Sequence, residues 1–346
     1  MAHPINVAVV GATGAVGREM VLTLEQRKFP VVRLRLFASP KSVGRTLRFR
    51  GEDVPVELLS PTSFEATKLA LFSAGNAISR EFAPLAVKAG VVVIDNSSAF
   101  RMDPEVDIIV PEVNKERVRH DRMLYANPNC ATAALVMALK PIYDRAGLRR
   151  VVVTSLQSVS GAGAHAVQEL EQESRALLQG QSYTRSVFPH QIAFNVIPQI
   201  PQANAFALDG SAGEETKICQ ETRKILGDPH IRISVTCVRV PVYRGHSLSV
   251  NIETARRLSA RDARELIRAF PGVEVIDDPA KQLYPMPIMV DGKDAVLVGR
   301  IREDASAENG LQLWIVGDNL RKGAALNAVQ IAERVLEVDA SKRFGM

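Results

Sequence analysis

Cysteine is scarce in this chain, with three residues among 346. Cys130, Cys219 and Cys237 form no CxxC pair and lack the spacing of a metal-ligand set. This pattern excludes a disulfide framework, and we expect no metal centre. Free thiols are typical of a reducing compartment, so the predicted location is the cytoplasm.

Long apolar runs are also missing. No stretch approaches the ~18 apolar residues that a membrane span needs. The first residues lead directly into an apolar strand pattern, without the basic segment and apolar core of a signal peptide. We therefore expect neither membrane association nor export.

Neither sign of charge dominates, since 43 Lys and Arg stand against 38 Asp and Glu, a formal net charge of +5. Most basic residues lie beside acids or on predicted helix faces, which argues against a nucleic-acid-binding platform. Internal basic groups are instead available for an anionic cofactor or substrate. The composition, 46% hydrophobic and 23% charged, is that of an ordinary globular protein, and the length suits two domains.

The chain opens with a βα unit. Ile5 to Val10 has the pattern of a buried parallel strand, and a glycine loop then leads into a helix that runs to about Arg27. Glycines allow a tight turn and close backbone approach, and the helix N-terminus presents N–H groups to a pyrophosphate. The GxxGxxG spacing differs from the commoner GxGxxG, so a simple tight turn is the alternative. The predicted dinucleotide-binding residues of the loop are Gly11, Thr13, Gly14, Ala15, Val16 and Gly17.

The end of the second strand indicates which dinucleotide binds. An Asp or Glu normally meets the ribose hydroxyls of NAD at this point, but here Ala38 is followed by Ser39, Pro40, Lys41 and Ser42. Two hydroxyls and a cation suit the 2′-phosphate of NADP, which we predict as the cofactor. A solvated turn with an incidental lysine is the alternative.

Alternating strands and helices continue through the first part of the chain, which predicts an α/β, Rossmann-like doubly wound sheet. The further strands are predicted at Leu34–Ala38, Leu69–Ser73, Val91–Asp95 and Asp107–Val110, with a helix at Ser79–Ala89.

After Cys130 the pattern changes to longer strands, which favours a second α+β domain with a mixed sheet. A last helix, about Leu320–Val338, has an apolar face that can return to the first domain. We therefore predict a dinucleotide-binding domain of residues 1–130 plus 318–346 and a catalytic and dimerisation domain of residues 131–317. The strands of the second domain are predicted at Arg150–Gln157, Arg232–Val242, Ser247–Glu253, Ala295–Arg302 and Gln312–Val316.

Cys130 is the candidate nucleophile. It follows Asn127-Pro128-Asn129 and stands directly before an apolar, helix-like run. Backbone N–H donors and the positive end of the helix dipole lower the pKa of a thiol at a helix start and favour the thiolate. A small buried apolar residue is the alternative for any cysteine, and we keep that interpretation for Cys219 and Cys237.

Seven motifs in one order point to a family: Gly11–Gly17, Ser97–Arg101, Asn127–Cys130, Gln157–Gly163, Glu214–Lys217, Arg239–His246 and Asp318–Gly323. On these motifs the chain resembles aspartate-semialdehyde dehydrogenase from end to end. The resemblance implies NADPH-dependent conversion of L-4-aspartyl phosphate to L-aspartate 4-semialdehyde and phosphate, on the route to lysine, methionine and threonine. It also implies a homodimer.

The resemblance assigns catalytic roles to three residues. A thiolate at Cys130 displaces phosphate and stores the acyl group as a thioester, which then takes hydride from the nicotinamide. His246 is the implied general acid/base, and an imidazole suits proton transfer near neutral pH. Gln157 is implied to orient the thiol and the acyl intermediate. Without the motifs, the last two would be ordinary strand residues.

Substrate and cofactor contacts are implied in the same way. Arg239 corresponds to the clamp for the substrate α-carboxylate, and Glu214 to the partner of its ammonium group. Arg101, Lys217 and Asn129 correspond to the pocket that receives the phosphate. An interdomain ion pair or solvated surface is the alternative for each charged residue. Further implied cofactor contacts are Ser160, Gly161 and Asn319.

The family pattern is not matched everywhere. Ala131 follows the nucleophile where the family commonly has Ser or Thr, so we expect altered local hydrogen bonding with activity retained. Lys41 replaces a frequent arginine and offers a point charge in place of a bidentate contact. The acidic residue of the substrate site can also be aligned on Glu215, although a separation of three residues from Lys217 favours Glu214.

Three other interpretations remain open on the sequence. N-acetyl-γ-glutamyl-phosphate reductase performs the same type of reduction, but its nucleophile motif usually has glycine where this chain has Asn129. Phosphorylating glyceraldehyde-phosphate dehydrogenase is more distant, because it needs no clamp for an amino acid carboxylate. A catalytically silent dinucleotide-binding paralogue is the third, and retention of Cys130, Gln157, Arg239 and His246 argues against it.

Overall fold

The computed structural model describes residues 4–201 and 206–344, with side chains up to residue 338. It divides into two compact units. The first lies within Met1–Asn129 and Ala324–Met346, and the second is formed by Cys130–Gly323.

The first unit opens with the predicted βα alternation. Its strand β1 reads as a continuous apolar run because both faces of a parallel strand are covered, and Val7 to Val10 are fully buried. The elements up to residue 129 are β1 (Ile5–Val10), α1 (Ala15–Gln26), β2 (Val31–Ala38), β3 (Thr46–Phe49), β4 (Glu52–Leu58), β5 (Leu69–Phe72), α2 (Asn76–Lys88), β6 (Val92–Asp95), β7 (Asp107–Ile108), α3 (Pro111–Asn114) and β8 (Leu124–Ala126).

In the described part of this unit the strands form one eight-stranded sheet, in the order β3-β4-β2-β1-β5-β6-β8-β7. All neighbours are parallel except β3 and β4, which form an antiparallel hairpin at one edge. This confirms the predicted Rossmann-like sheet. The strand predicted to reach Val110 ends at Ile108, because Pro111 starts the next helix.

The second unit begins with the helix that carries Cys130 at its first position. Its elements are α4 (Cys130–Ala146), β9 (Leu148–Gln157), α5 (Ala164–Leu178), α6 (Gly213–Leu226), β10 (Arg232–Arg239), β11 (His246–Thr254), α7 (Ala260–Arg268), β12 (Val273–Val275), β13 (Val296–Asp304) and β14 (Gly310–Gly317). Helix α4 packs on strands β9, β11, β13 and β14 and against helices α6 and α7.

The six strands described in this unit form a mixed sheet, in the order β10-β9-β11-β14-β13-β12, as predicted. Strands β9 and β10 are parallel, whereas β11 runs antiparallel to both β9 and β14. The carboxyl ends of β9, β10 and β14 therefore meet the start of β11 at one edge. The register pairs Gln157 with Arg239 and His246 with Gly317 at that edge.

Strand β10 is shorter than predicted. It ends at Arg239 and does not continue to Val242, because Pro241 has no N–H to donate to a ladder. The residues that follow turn toward the start of β11, and main-chain groups of Val242 and Tyr243 accept hydrogen bonds from Val159 and Ser160.

After β14 the chain forms a π-helical turn, Arg321–Ala325, and then α8 (Leu326–Phe344), the last helix of the first unit. Helix α8 packs on α1, α3 and β6. Within the two described ranges, no helix has both the length and the apolar content to cross a membrane.

The nucleotide loop between β1 and α1 requires glycine at two positions. Gly11 has φ +82°, and a Cβ there would lie 2.4 Å from the Ser73 carbonyl oxygen. A Cβ on Gly17 would lie 2.2 Å from the Gly11 carbonyl oxygen, which is main chain and cannot rotate away. The loop is therefore packed tightly against the first turn of α1.

We expect Gly17→Ala to lower the free energy of unfolding of the protein by roughly 2 kcal/mol, because the new methyl group forces the loop and helix apart. Gly14→Ala is the matched control, since its Cβ would meet only the Gly11 carbonyl oxygen at 3.4 Å and its φ is −72°. Urea unfolding of both variants measures the difference. Equal stability of the two would contradict the close packing described.

Candidate active site

Cys130 and His246 lie side by side in the second unit. The Cys130 sulfur is 3.2 Å from His246 Nε2. Cys130 is the first residue of α4 and His246 the first residue of β11. A thiol at a helix start is thus paired with an imidazole at the start of a central strand.

The turn after β14 closes on the cysteine. A Cβ added to Gly323 would lie 2.8 Å from the Cys130 Cβ, so only glycine leaves room at this position. Gly317 is the last residue of β14, and a Cβ added there would similarly lie 3.1 Å from the Ala134 Cβ. Gly323 lies within the motif Asp318–Gly323, but the sequence contains no signal that would predict its place beside Cys130.

His246 is almost completely buried, with 1% of its surface exposed. Burial, and next the nearby positive charge of Arg239, lower the pKa of His246 to about 3. The imidazole is therefore neutral at physiological pH.

Ser158 meets the other nitrogen of that imidazole. Its main-chain N–H donates to His246 Nδ1 at 3.1 Å, and its Oγ lies 3.1 Å from the same atom. The Ser158 hydroxyl also lies 3.1 Å from Asn319 Oδ1, which accepts a further hydrogen bond from the Gly245 N–H at 2.9 Å. Sequence reasoning missed Ser158, and nothing in its motif distinguishes it from a turn serine.

Gln157, Glu214 and Lys217 form a second polar group near the same sheet edge. Gln157 Nε2 donates to Ser155 Oγ at 3.3 Å and lies 3.5 Å from Glu214 Oε1. Lys217 Nζ lies 3.5 Å from Glu214 Oε2, one helical turn along α6. Glu214 is buried, whereas Lys217 is partly exposed.

The adjacent acid, Glu215, binds main-chain N–H groups. It accepts a hydrogen bond from the Ala212 N–H at 2.6 Å, at the start of α6, and another from the Cys237 N–H at 2.9 Å. The first contact caps the start of α6, and the second holds α6 against β10. Glu214, and not Glu215, is the acid that contacts Gln157 and Lys217.

Arg239 is buried at the end of β10. Its Nη1 donates to the Ser158 carbonyl oxygen at 2.7 Å, and among the described residues no acceptor meets its Nε. Burial lowers the pKa of Arg239, an effect opposed by Glu214 and by the thiols of Cys130 and Cys237. A buried guanidinium with an unpaired donor has capacity for an anionic ligand.

Gly161 keeps space open beside these groups. Its own surface is exposed, and a Cβ there would lie 3.0 Å from Arg239 Nη1 and 3.3 Å from the His246 ring. Ser160, next to it, is buried and accepts a hydrogen bond from Asn319 Nδ2 at 2.9 Å. Ser160 and Asn319 are therefore joined to the same network as Ser158.

Arg101 and Asn129 belong to the first unit and are both buried. Arg101 Nε donates to the Asn127 carbonyl oxygen at 2.8 Å, and its Nη2 donates to that of Asn96 at 2.9 Å. These contacts attach the arginine to the turn that precedes Cys130 in the sequence.

The predicted cofactor residues also lie in the first unit. Thr13, in the glycine loop, donates to Ser42 Oγ at 3.1 Å, so the structure joins the loop to the segment after β2. Ser39 and Lys41 are exposed beside it, around the short 3₁₀ turn Pro40–Ser42. Gly14, at the start of α1, is exposed, so its main chain is open to close approach by a pyrophosphate. These residues fit a dinucleotide.

Cys219 and Cys237 differ from Cys130. Burial raises the pKa of both thiols, and for Cys237 the nearby carboxylates of Glu214 and Glu215 add to the effect. All three cysteines are free thiols. Their environments make Cys219 and Cys237 poor nucleophiles, in line with the structural interpretation of both.

The chain matches two families of known domains in succession. Residues 6–120 match the semialdehyde dehydrogenase NAD-binding domain, and residues 139–322 match the semialdehyde dehydrogenase dimerisation domain. An aspartate-semialdehyde dehydrogenase of Aquifex aeolicus is 52% identical over 96% of this chain and 98% of the relative. That of Bacillus subtilis is 46% identical over 98% of this chain and 99% of the relative.

Solved structures agree with these matches. The crystal structure of aspartate semialdehyde dehydrogenase II from Vibrio cholerae superposes with a TM-score of 0.93 at 46% identity, covering 97% of this chain and 99% of that one. A second structure of the Vibrio enzyme, complexed with ASA, also has a TM-score of 0.93. The chain therefore belongs to the aspartate-semialdehyde dehydrogenase family.

Proposed function

We propose that this protein converts L-4-aspartyl phosphate to L-aspartate 4-semialdehyde and phosphate with NADPH, through a thioester on Cys130. The observation that carries the proposal is the contact of 3.2 Å between the Cys130 sulfur and a buried imidazole, at the start of a helix. The family membership supports the substrate, and the buried guanidinium of Arg239 supports an anionic amino-acid ligand. By its family the enzyme serves amino-acid biosynthesis.

The chemistry begins with attack of the Cys130 thiolate on the acyl carbon. The C–S bond forms, the C–O bond to phosphate breaks, and the departing phosphate takes the electron pair. When bound, the reduced nicotinamide supplies the hydride that turns this thioester into a tetrahedral oxyanion. Collapse of the oxyanion breaks the C–S bond, releases the aldehyde and restores the thiolate.

His246 and Gln157 are the proposed partners of that carbon centre. His246 Nε2 faces the sulfur. From this position it can give a proton or a hydrogen bond to the substrate oxygen on which negative charge develops. Gln157 presents a neutral amide donor, which orients an acyl group without adding charge. Its contacts with Ser155 and Glu214 hold that amide in place.

Arg239 and Glu214 are the proposed clamp for the amino acid. A guanidinium binds a carboxylate with parallel donors, and the unpaired Nε of Arg239 gives it a donor to offer. Glu214 is the matching anion for the substrate ammonium. Its hydrogen bonds with Gln157 and Lys217 support this alignment over one based on Glu215, which is committed to main-chain N–H groups.

Arg101, Lys217 and Asn129 are the proposed phosphate contacts. Arg101 and Lys217 contribute positive charge, and Asn129 an amide donor. The attachment of Arg101 to the Asn127 carbonyl supports this role, because it places a cation beside the motif that leads into Cys130.

NADP is the proposed cofactor, held by the first unit. The glycine loop would receive the pyrophosphate, while Ser39, Lys41 and Ser42 would meet the 2′-phosphate. The hydrogen bond between Thr13 and Ser42 supports one shared surface for both groups. Ser160, Gly161 and Asn319 of the second unit are proposed as further contacts.

The domain division, the dimer and the location complete the proposal. We propose residues 1–130 plus 318–346 as the dinucleotide-binding domain and residues 131–317 as the catalytic and dimerisation domain. The match to a dimerisation domain supports a homodimer. Three free cysteines support a reducing compartment such as the cytoplasm.

The direct test runs the reaction in reverse with purified protein, aspartate semialdehyde, phosphate and NADP, and follows the reduced cofactor. Peptide mass analysis of quenched turnover should then show an acyl adduct on the Cys130 peptide. Acetylglutamate semialdehyde run beside it distinguishes the reductase that performs the related reaction. Absence of phosphate-dependent turnover with either aldehyde would favour a silent paralogue.

Cys130→Ser should reduce turnover by several orders of magnitude, because a serine hydroxyl at neutral pH is a far weaker nucleophile than a thiolate. NADP binding, measured by fluorescence titration, should stay close to that of the unmodified protein. Cys219→Ser is the matched control and should retain activity. Full activity of Cys130→Ser would reject covalent catalysis at this residue.

Arg239→Lys should raise the KM for aspartate semialdehyde by roughly 10- to 100-fold, since lysine keeps the charge but loses the planar pair of donors. The KM for NADP should change little. Steady-state kinetics with each substrate varied in turn separates the two effects. Unchanged affinity for the aldehyde would remove Arg239 from the clamp.

Lys41→Ala should weaken NADP binding by roughly 5- to 30-fold through loss of one charge-assisted contact, while NAD binding stays the same. Lys88→Ala removes an exposed lysine from the end of α2 in the same unit and serves as control. Titration of each variant with both dinucleotides gives the selectivity. A parallel loss for NADP and NAD would contradict a 2′-phosphate contact.

A further inference from the structure

Ser158 lies in the turn between β9 and α5, directly after Gln157, and is completely buried. Two of its atoms converge on His246 Nδ1, the main-chain nitrogen and the hydroxyl oxygen, each at 3.1 Å. The hydroxyl can donate or accept, but a main-chain N–H can only donate. Nδ1 must therefore offer its lone pair to the Ser158 N–H.

A neutral imidazole carries one proton, so an unprotonated Nδ1 places that proton on Nε2. Nε2 is the atom that faces the Cys130 sulfur at 3.2 Å. Rotation of the ring by half a turn would put carbon atoms against both the Ser158 N–H and the sulfur. Because the site is buried, the Ser158 N–H would then have no acceptor, which costs free energy. The observed orientation of the ring avoids this cost.

We propose that Ser158 is a positioning residue that holds His246 in the tautomer with the proton on Nε2, so that the imidazole donates a hydrogen bond to Cys130 and does not take its proton. The inference rests on the proposed function, and it specifies the form in which His246 acts.

Ser158 is itself held in place by two neighbours. Its carbonyl oxygen accepts a hydrogen bond from Arg239 Nη1 at 2.7 Å, and its hydroxyl lies 3.1 Å from Asn319 Oδ1. Asn319 in turn accepts from the N–H of Gly245, the residue before His246. Ser158 is thus connected to His246 directly through its N–H and indirectly through Asn319 and Gly245. These contacts leave the Ser158 N–H little freedom to turn away from Nδ1.

The charged and titratable groups that face the imidazole, among the described residues, are Arg239 and Cys130. The Arg239 cation opposes a positive charge on the ring, whereas a Cys130 thiolate favours one and accepts a hydrogen bond from Nε2. Burial acts in the same direction as Arg239 and lowers the pKa of His246 to about 3. A neutral imidazole as hydrogen-bond donor is a known catalytic form, used where charge develops on oxygen.

The proton balance of the proposed reaction allows this role. The thiolate is consumed when phosphate leaves and is regenerated when the tetrahedral oxyanion collapses. The one proton required is taken up by the departing phosphate and comes from solvent. His246 can therefore stabilise first the sulfur anion and then the oxygen anion through one N–H, without changing its own protonation state.

Nitrogen NMR tests the tautomer directly in the full-length protein. The histidines are labelled with ¹⁵N, and the resonances of His246 are identified by their loss in His246→Gln. We expect one protonated nitrogen, Nε2, and one unprotonated nitrogen, Nδ1, across about pH 6 to 9. A proton on Nδ1, or an imidazolium at neutral pH, would overturn the proposal.

Ser158→Ala separates the main-chain donor from the hydroxyl. The variant keeps the N–H, so His246 should remain protonated on Nε2, while kcat falls roughly threefold to tenfold and the KM for the aldehyde is unchanged. A switch of the tautomer to Nδ1 in this variant would refute assignment to the main-chain donor. Ser249→Ala is the control for the spectra, because Ser249 is exposed on β11, three residues after His246, and the His246 shifts should not move.

Alkylation of Cys130 by iodoacetamide supplies a functional readout. With a donor-only imidazole, the rate should rise with pH in a single step, the ionisation of the thiol. His246→Gln retains an amide N–H donor and cannot titrate, so it should keep the same single step. A second step that disappears in His246→Gln would show proton exchange between thiol and imidazole and refute the proposal. An active enzyme with the proton on Nδ1 would refute it while leaving the proposed function intact.

Discussion

The guanidinium of Arg239 and the imidazole of His246 share one buried site, and they can do so because the imidazole is neutral. Burial and the adjacent cation both disfavour an imidazolium, which lowers the pKa of His246 to about 3. A neutral ring needs a donor for one nitrogen and an acceptor for the other, and Ser158 and Cys130 supply them. The same serine offers its carbonyl oxygen to Arg239. One turn of main chain therefore contacts both the cation and the imidazole, and the rest of the site is arranged around it.

That turn can meet the imidazole because of the strand directions in the second sheet. Since β9 and β11 are antiparallel, the residue after the end of β9 lies beside the residue that starts β11. The end of β14 reaches the same edge, and Asp318 follows it directly. Arg244 forms a bidentate ion pair with Asp318, with Nε 2.9 Å from Oδ1 and Nη2 2.8 Å from Oδ2. Asp318 also accepts from the Leu320 and Gly292 N–H groups. This buried carboxylate fixes the start of the turn that brings Gly323 against Cys130, so the position of the proposed nucleophile depends on an ion pair outside the proposed reaction.

Much of this arrangement could be predicted from the sequence, and the remainder depends on contacts that no local pattern encodes. The βα opening, the mixed second sheet and the cysteine at a helix start follow from periodicity and from residues that end or begin elements. The end of β10 at Arg239 required attention to Pro241, a local signal that the apolar pattern obscured. Ser158 and Gly323 are different, because their importance arises from strand register and from the approach of a distant turn. Only the three-dimensional structure shows that a serine N–H points at an imidazole and that a Cβ on Gly323 would lie 2.8 Å from the Cys130 Cβ.

Charge balance explains why the proposed site has this set of residues. Lys217 and Glu214 lie 3.5 Å apart as one opposite pair, and Arg239 with a Cys130 thiolate makes a second. With His246 neutral, these four groups sum to zero. The amino-acid end of the proposed substrate carries one positive and one negative charge, so its binding between Glu214 and Arg239 adds no net charge to a poorly solvated space. The acyl phosphate is then the one group that brings excess negative charge, and the charge of the thiolate passes to the departing phosphate as the C–S bond forms. A protonated His246 would disturb this balance, and the Ser158 N–H opposes that state by requiring a lone pair on Nδ1.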